Sequence, residues 1–163
     1  MTFKYCTKCG NLLDTKIIGD EGELPYCSIC QIPYFEHIGL CTITCVVNEK
    51  NEVVLVRDKR SDRFGLIAGY VKKHESLEES AIREIKEESG IVIDEIQYAG
   101  SYYYEAKELM MVGFYARTKS HDLELTNEIA EIKWSQIDDA VLELREGSIA
   151  QKIVRSIIER RQQ

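Results

Sequence analysis

The sequence has 163 residues, 44% of them hydrophobic and 30% charged; at about 100–200 residues per domain this excludes a large multidomain enzyme and supplies enough apolar material for a core. Lys and Arg total 21 against 28 Asp and Glu, a formal charge of −7, so the surface as a whole repels duplex nucleic acid and DNA is not an expected partner. No run of about 18 apolar residues occurs and the first ten residues carry no apolar leader, so no membrane partner is expected and the cytoplasm is the expected location.

The chain opens with Cys6 and Cys9, then Cys27 and Cys30, two C-x2-C pairs separated by 17 residues. This spacing fits a four-thiolate zinc site, each pair turning two sulfurs toward one point. The alternative, two disulfides, belongs to oxidising compartments. Four thiolates close the coordination sphere, so the expected zinc is structural. Residues 1–37 are expected to form a zinc ribbon and residues 38–163 the second domain. The ribbon is acidic, with Lys4, Lys8 and Lys16 against Asp14, Asp20, Glu21, Glu23 and Glu36. It is therefore a poor phosphate reader and better suited to a scaffold or dimer contact, and a homodimer is expected.

Leu40 to Val47 and Val53 to Val56 read as strands joined by the polar turn 48–51. Cys41 and Cys45 fall on one strand face and read as core thiols. Phe64 to Val71 is a third extended segment. Ser76 with Glu79 three residues later forms a capping box that opens a helix, and Gly90 closes it. Ile91 to Ile93, Gln97 to Tyr104, Leu109 to Arg117 and Ile129 to Trp134 read as further strands, rich in β-branched and aromatic residues. Ser135 and Ser148 each precede helical periodicity, the second with Gln151 in a further capping box. The fold class is α+β, a mixed sheet flanked by helices with a small ribbon ahead of it.

The chemistry gathers between Gly69 and Ile91. On a helical wheel starting at Leu77, Ala81, Ile85 and Ile82 fall at about 40°, 80° and 140°, while Glu87, Glu84 and Glu88 fall at about 280°, 340° and 20°. Glu88 thus lies on the side expected to be dry, where a lone carboxylate is disfavoured. Glu84 and Glu88 are also a like-charge i, i+4 pair, destabilising by about 0.2–0.5 kcal/mol. A hard divalent cation, Mg²⁺ or Mn²⁺, removes both problems. The competing reading is a solvated acidic face. The full pattern decides between them: Gly69, five residues, Glu75, seven residues, then Arg83-Glu84-Ile85-Lys86-Glu87-Glu88-Ser89-Gly90-Ile91. Seven fixed positions leave chance agreement at about one in ten million per window, which removes the solvated face as the leading reading.

That pattern is the signature of the Nudix hydrolase family, which the chain resembles over essentially its whole length. The resemblance implies a Nudix fold, a mixed sheet sandwiched between helices, hydrolysing a nucleoside diphosphate linked to a further moiety. It implies that Glu84, Glu87 and Glu88 bind Mg²⁺ or Mn²⁺ with the Gly69 carbonyl, and that Glu128 completes the set, with Glu131 as second choice. Arg83 is expected to hold the carboxylates by ion pairing, Glu75 to assist, and Glu87 to act as base. A zinc ribbon directly ahead of such a domain is similar to the NADH pyrophosphatase branch, which splits NAD(H) into nicotinamide mononucleotide and AMP and removes NAD caps from RNA. That branch carries S-Q-P-W-P-F-P-x-S-L-M downstream. In the matching segment this chain keeps only Ser101, Leu109 and Met110, and Lys72 stands where the branch has an acid. Tyr70, Phe35 and Tyr103 are the expected contacts to a nucleotide base, with core or strand packing as the alternative. ADP-ribose or a nucleotide sugar is the second substrate reading, and a non-catalytic nucleotide sensor the rival from another class.

Overall fold

A computed structural model describes residues 3–127 and 129–161. By contacts the chain divides into two units, residues 1–38 and 39–163.

In the first unit each cysteine pair bends the chain the same way. The amide of Gly10 donates to the Cys6 carbonyl at 2.8 Å, and that of Gln31 to the Cys27 carbonyl at 2.7 Å. Both residues take positive φ, 77° and 55°, so each knuckle closes on a left-handed residue just after its second cysteine. Between the knuckles run β1 (Asp14–Ile17) and β2 (Glu23–Cys27), and β3 (Ile32–Pro33) follows, in the antiparallel order β1-β2-β3. A small cluster of Cys6, Cys27 and Tyr34, with Phe3, Leu13 and Ile32 against it, is the apolar centre of this unit.

The second unit is built on β4 (Gly39–Asn48), hydrogen-bonded on one side to β8 (Leu109–Thr118) in parallel. On the other side it meets β6 (Ile67–Tyr70) and, at its end, β5 (Glu52–Asp58), both antiparallel. β7 (Glu95–Tyr104) and β9 (Ile129–Gln136) form the edges of the six-stranded mixed sheet. The β4–β5 turn is held by the buried Asn48, whose side-chain oxygen accepts from the amides of Lys50 and Glu52 at 2.9 and 3.0 Å.

Alternation along β4 divides the core in two. Ile43, Cys45 and Val47 join α2 (Ile137–Glu143) and α3 (Ile149–Arg161) through Val141, Ile153, Val154 and Ile157. Val46, Val54, Val56 and Ile67 join α1 (Leu77–Ser89) through Ile85. The sheet is therefore sandwiched, with α1 on one face and α2 and α3 on the other. Ser76 and Glu79 form the complete capping box, and Gly90 ends α1 at φ 72° with its amide on the Lys86 carbonyl.

Three local readings change. Ile91 to Ile93 is not a strand: no sheet edge reaches it, and the Val92 carbonyl accepts instead from the Thr118 hydroxyl at 2.8 Å. Ile82 is 43% exposed, so the apolar arc of α1 is narrower than the wheel gives, with the buried Ser80 and Ser89 completing the packed surface. Ser135 precedes α2, as read; its hydroxyl donates to Glu143 at 2.8 Å, and Gln136 takes the N-cap position without a side-chain cap. Ser148 receives the Gln151 amide at 3.2 Å, but the Gln151 side chain turns to Gly147 and Val141, which leaves half a capping box.

Candidate active site

α1 lies against β6 and β4, which brings its acidic side onto the strand carrying Gly69. A Cβ at Gly69 would fall 2.0 Å from Glu84 Cδ and 2.1 Å from its Oε1. A side chain at this position would therefore displace the Glu84 carboxylate from its present place. Across the ladder Gly69 faces Thr42, whose buried hydroxyl has no hydrogen-bond partner among the described residues.

Arg83 organises the acids. Its Nε and Nη2 donate to the two oxygens of Glu75 at 3.0 and 2.7 Å, a fork-on-fork pair, and Nη1 donates to Glu84 at 2.5 Å and to Glu87 at 2.9 Å. Nη2 also donates to the Tyr70 carbonyl at 3.0 Å, tying α1 to the end of β6. Glu75 accepts in addition from the Lys72 amide. The Arg83 guanidinium holds the Glu75 carboxyl at about 2, far below the usual carboxylate range, and Glu75 in turn raises Arg83. At Glu87 partial burial pushes the carboxyl up, but hydrogen bonds from Arg83 and from Lys72, whose Nζ lies at 3.3 Å, outweigh it and leave Glu87 below its ordinary value.

Lys72, Glu84 and Glu87 line a cleft of about 480 Å³ whose walls also include Gly69, Tyr70 and Glu88. A wider hollow of about 630 Å³ adjoins it and shares Asp58, Ala68 and Glu88, so the half-buried Glu88 faces both limbs of one groove. Tyr70, 58% exposed, stands at the rim. Tyr103 lines a neighbouring hollow with Met111 and Ile149, and it is Tyr104 that faces the carboxylates. Phe35 belongs to the first unit and is exposed there. Glu128 lies outside the described residues; Glu131 is paired with Arg57 at 3.1 Å. Asp58, Lys107 and Cys41 were missed as cleft residues: each comes from a separate strand end or turn, and no local pattern marks them. Cys41 is 4% exposed, as a core thiol would be, yet it faces this cleft, and burial raises its pKa.

The four cysteine sulfurs of the first unit all lie within 4.8 Å of one another, the one group of three or more potential ligands so gathered among the described residues. Cys9 Sγ and Cys27 Sγ are 3.6 Å apart, far beyond a disulfide bond and close to the sulfur–sulfur edge of about 3.8 Å in a tetrahedron with about 2.3 Å Zn–S bonds. The set is compatible with structural zinc. The α1 carboxylates gather less tightly: Glu84 and Glu87, with Glu75 from just ahead of the helix, are arranged about Arg83. Their oxygens are nonetheless hard donors on one wall, suited to Mg²⁺ or Mn²⁺.

The NUDIX domain family model matches residues 39–157. The chain belongs to this family. Over 160 residues it is 28% identical to the NAD-capped RNA hydrolase NudC of Escherichia coli O9:H4 (strain HS), a match that covers 95% of this chain. It spans only 60% of that relative's length. The crystal structure of a NUDIX hydrolase from Nitrosomonas europaea superposes with a TM-score of 0.78 at 20% identity, covering 98% of this chain and 93% of that one. The NUDIX domain of Shewanella oneidensis NrtR, solved with ADP ribose, gives 0.67 at 18% identity, covering 83% and 93%. At these identities the two structures establish the Nudix fold alone. The Nudix box of the chain, Gly69 to Ile91, thus sits where β6 and α1 meet.

Proposed function

We propose that this Nudix chain is a metal-dependent pyrophosphatase that cleaves a nucleoside diphosphate linked to a second moiety, and that its substrate is a dinucleotide of the NAD(H) kind, free or at the 5′ end of RNA. The observation that carries the reading is the cleft in which Glu84, Glu87 and Glu88 share a wall with Gly69, with Arg83 behind it holding Glu84 and Glu87 and itself clamped by Glu75. The NudC relative supports the choice of dinucleotide. The missing prolines and tryptophan of the segment 101–110 keep ADP-ribose as the second choice.

Glu84, Glu87 and Glu88, with the Gly69 carbonyl, would hold Mg²⁺ or Mn²⁺, which when bound neutralises pyrophosphate charge and lowers the pKa of attacking water. Glu128 is the further ligand we propose. Arg83 fixes the directions of Glu84 and Glu87, so these oxygens meet a cation without a large loss of side-chain entropy. Glu87 is half exposed and held ionised, and would accept the proton of the attacking water. Lys72 places a positive charge beside Glu87, where it favours a substrate with more negative charge. Tyr70 and Tyr104 offer aromatic surface for a base. A purely sensing role would not require the full set of box acids, and this chain keeps all of them.

The test is a panel of NADH, ADP-ribose, diadenosine polyphosphates and NAD-capped RNA, incubated with Mg²⁺ or Mn²⁺ and read by product identification. Reduced nicotinamide mononucleotide and AMP from NADH, with loss of about 10²-fold or more in Glu87→Gln, is the expected result. A panel left intact by the wild type, with ligand binding unchanged in the variant, would contradict it.

A further inference from the structure

The sheet end opposite the carboxylates carries a charge cluster that hydrolysis leaves unused. β8 begins at Leu109, in the wall of the carboxylate cleft, and ends at Thr118, a run of about 30 Å at about 3.3 Å per residue. At that far end a second cleft, about 370 Å³, is lined by Asn51, Gln97, Tyr115, Arg117, Arg160 and Arg161. Three arginines from two elements meet there, with no carboxylate among the described lining residues, on a chain of charge −7.

Arg161 is positioned by neutral partners. Its Nη1 donates to Asn51 Oδ1 at 3.1 Å, its Nη2 to Tyr115 Oη at 3.2 Å, and the guanidinium sits 5.9 Å from the centre of the Tyr115 ring. These contacts orient the group and leave its charge uncompensated. Arg117 and Arg160 are exposed and make no side-chain hydrogen bond or ion pair among the described residues. Of the nearby acids, Glu95, across the ladder from Arg117, accepts from Gln97 of the cleft wall at 2.6 Å, and Asp94 accepts the Lys119 amide at 3.0 Å; neither they nor Glu159 forms an ion pair with these arginines among the described residues. The negative C-terminal end of α3 explains cations at 160 and 161. It does not explain Arg117, which arrives from β8.

We propose that this cleft is a phosphate-binding site, remote from the hydrolytic centre, that takes the phosphate of a free nucleotide or of a phosphodiester backbone. Guanidinium forks match phosphate oxygens two at a time. The Tyr115 ring already carries Arg161, so the cleft offers charge rather than an open stacking face, and phosphate rather than base is what it recognises. The volume suits a phosphate with its sugar and is small for a whole dinucleotide.

The test titrates the wild-type protein, without divalent ion, with inorganic phosphate and separately with a short single-stranded RNA bearing a 5′-hydroxyl. Binding is read from the backbone amide NMR signals of Gln97, Tyr115 and Arg117. Saturable shifts at these amides with phosphate are expected, with affinity falling at least about tenfold in Arg117→Ala and in Arg160→Glu. The amide spectrum elsewhere reports that each variant is folded. RNA binding that is tighter than phosphate and weakens steeply with salt assigns the site to a backbone; RNA binding no tighter than phosphate assigns it to a free phosphate or nucleotide. No saturable shift at these amides with either probe, or equal affinity in both variants, overturns the proposal. The readout lies outside the Nudix box and needs no turnover, so it stands or falls independently of the hydrolytic reading.

Discussion

Three residues carry the most specific consequences of the site. Gly69→Ala puts a methyl onto the Glu84 carboxylate, the mobile end of a flexible side chain, so we expect the fold to survive while the carboxylate is driven away. The thermal midpoint should move by an amount corresponding to no more than about 1 kcal/mol, while kcat falls at least about tenfold, as for a misplaced catalytic group. The same kcat in the variant would detach Glu84 from the chemistry. Arg83 and Glu75 supply a pH signature. Glu75 has a folded-state pKa of about 2, below its ordinary value, so its contribution is full above the ordinary carboxylate range and is lost as pH falls toward 2. The stability difference between wild type and Glu75→Gln, from urea midpoints, should therefore narrow steadily from pH 5 down to pH 3. Glu87 is likewise held low by Arg83 and Lys72 against the upward push of burial. Removing one cation in Lys72→Ala should move the acid limb of the kcat/KM profile to higher pH, and a shift to lower pH would exclude Glu87 as the titrating base.

At the scale of elements, α1 was legible because its signals are local: the Ser76–Glu79 box, the apolar spacing and Gly90 all lie within fifteen residues. Ser76→Ala should cost about 1 kcal/mol by equilibrium unfolding, and Gly90→Ala more than a simple helix-end change, because φ is 72° and a Cβ there would meet Glu124 within 2.8 Å. Ile91 to Ile93 shows where local reading fails. Its apolar alternation is real, with Ile91 buried and Val92 exposed, but a strand also needs a neighbouring edge, and no sequence window records one. The wheel misjudged Ile82 for a related reason. It assigns the packed side from hydrophobicity alone, whereas α1 turns partly acidic and partly serine-bearing surface toward the sheet, where Arg83 and Gly69 accommodate it.

For the whole molecule, the cysteine ribbon and the box could be read because their ligands repeat at fixed short spacings. The opposite wall of the cleft could not. Cys41, Asp58, Tyr104 and Lys107 meet only because β4 begins, and β5 and β7 end, at the same side of the mixed sheet. Each unit has its own apolar cluster, so chelation of a zinc ion that we propose the four cysteines hold should raise amide exchange across residues 3–38 while the core strands of 39–161 keep their protection, as seen by hydrogen exchange before and after chelation. The central claim is that the α1 carboxylates collect a divalent ion for pyrophosphate cleavage. The most direct measurement is Mn²⁺ binding followed by electron paramagnetic resonance on zinc-loaded protein, wild type beside Glu84→Gln and Glu88→Gln. Saturable binding by the wild type, weakened at least about tenfold in each variant, is the predicted result; equal binding by all three, or none by the wild type in the presence of a dinucleotide, would contradict it.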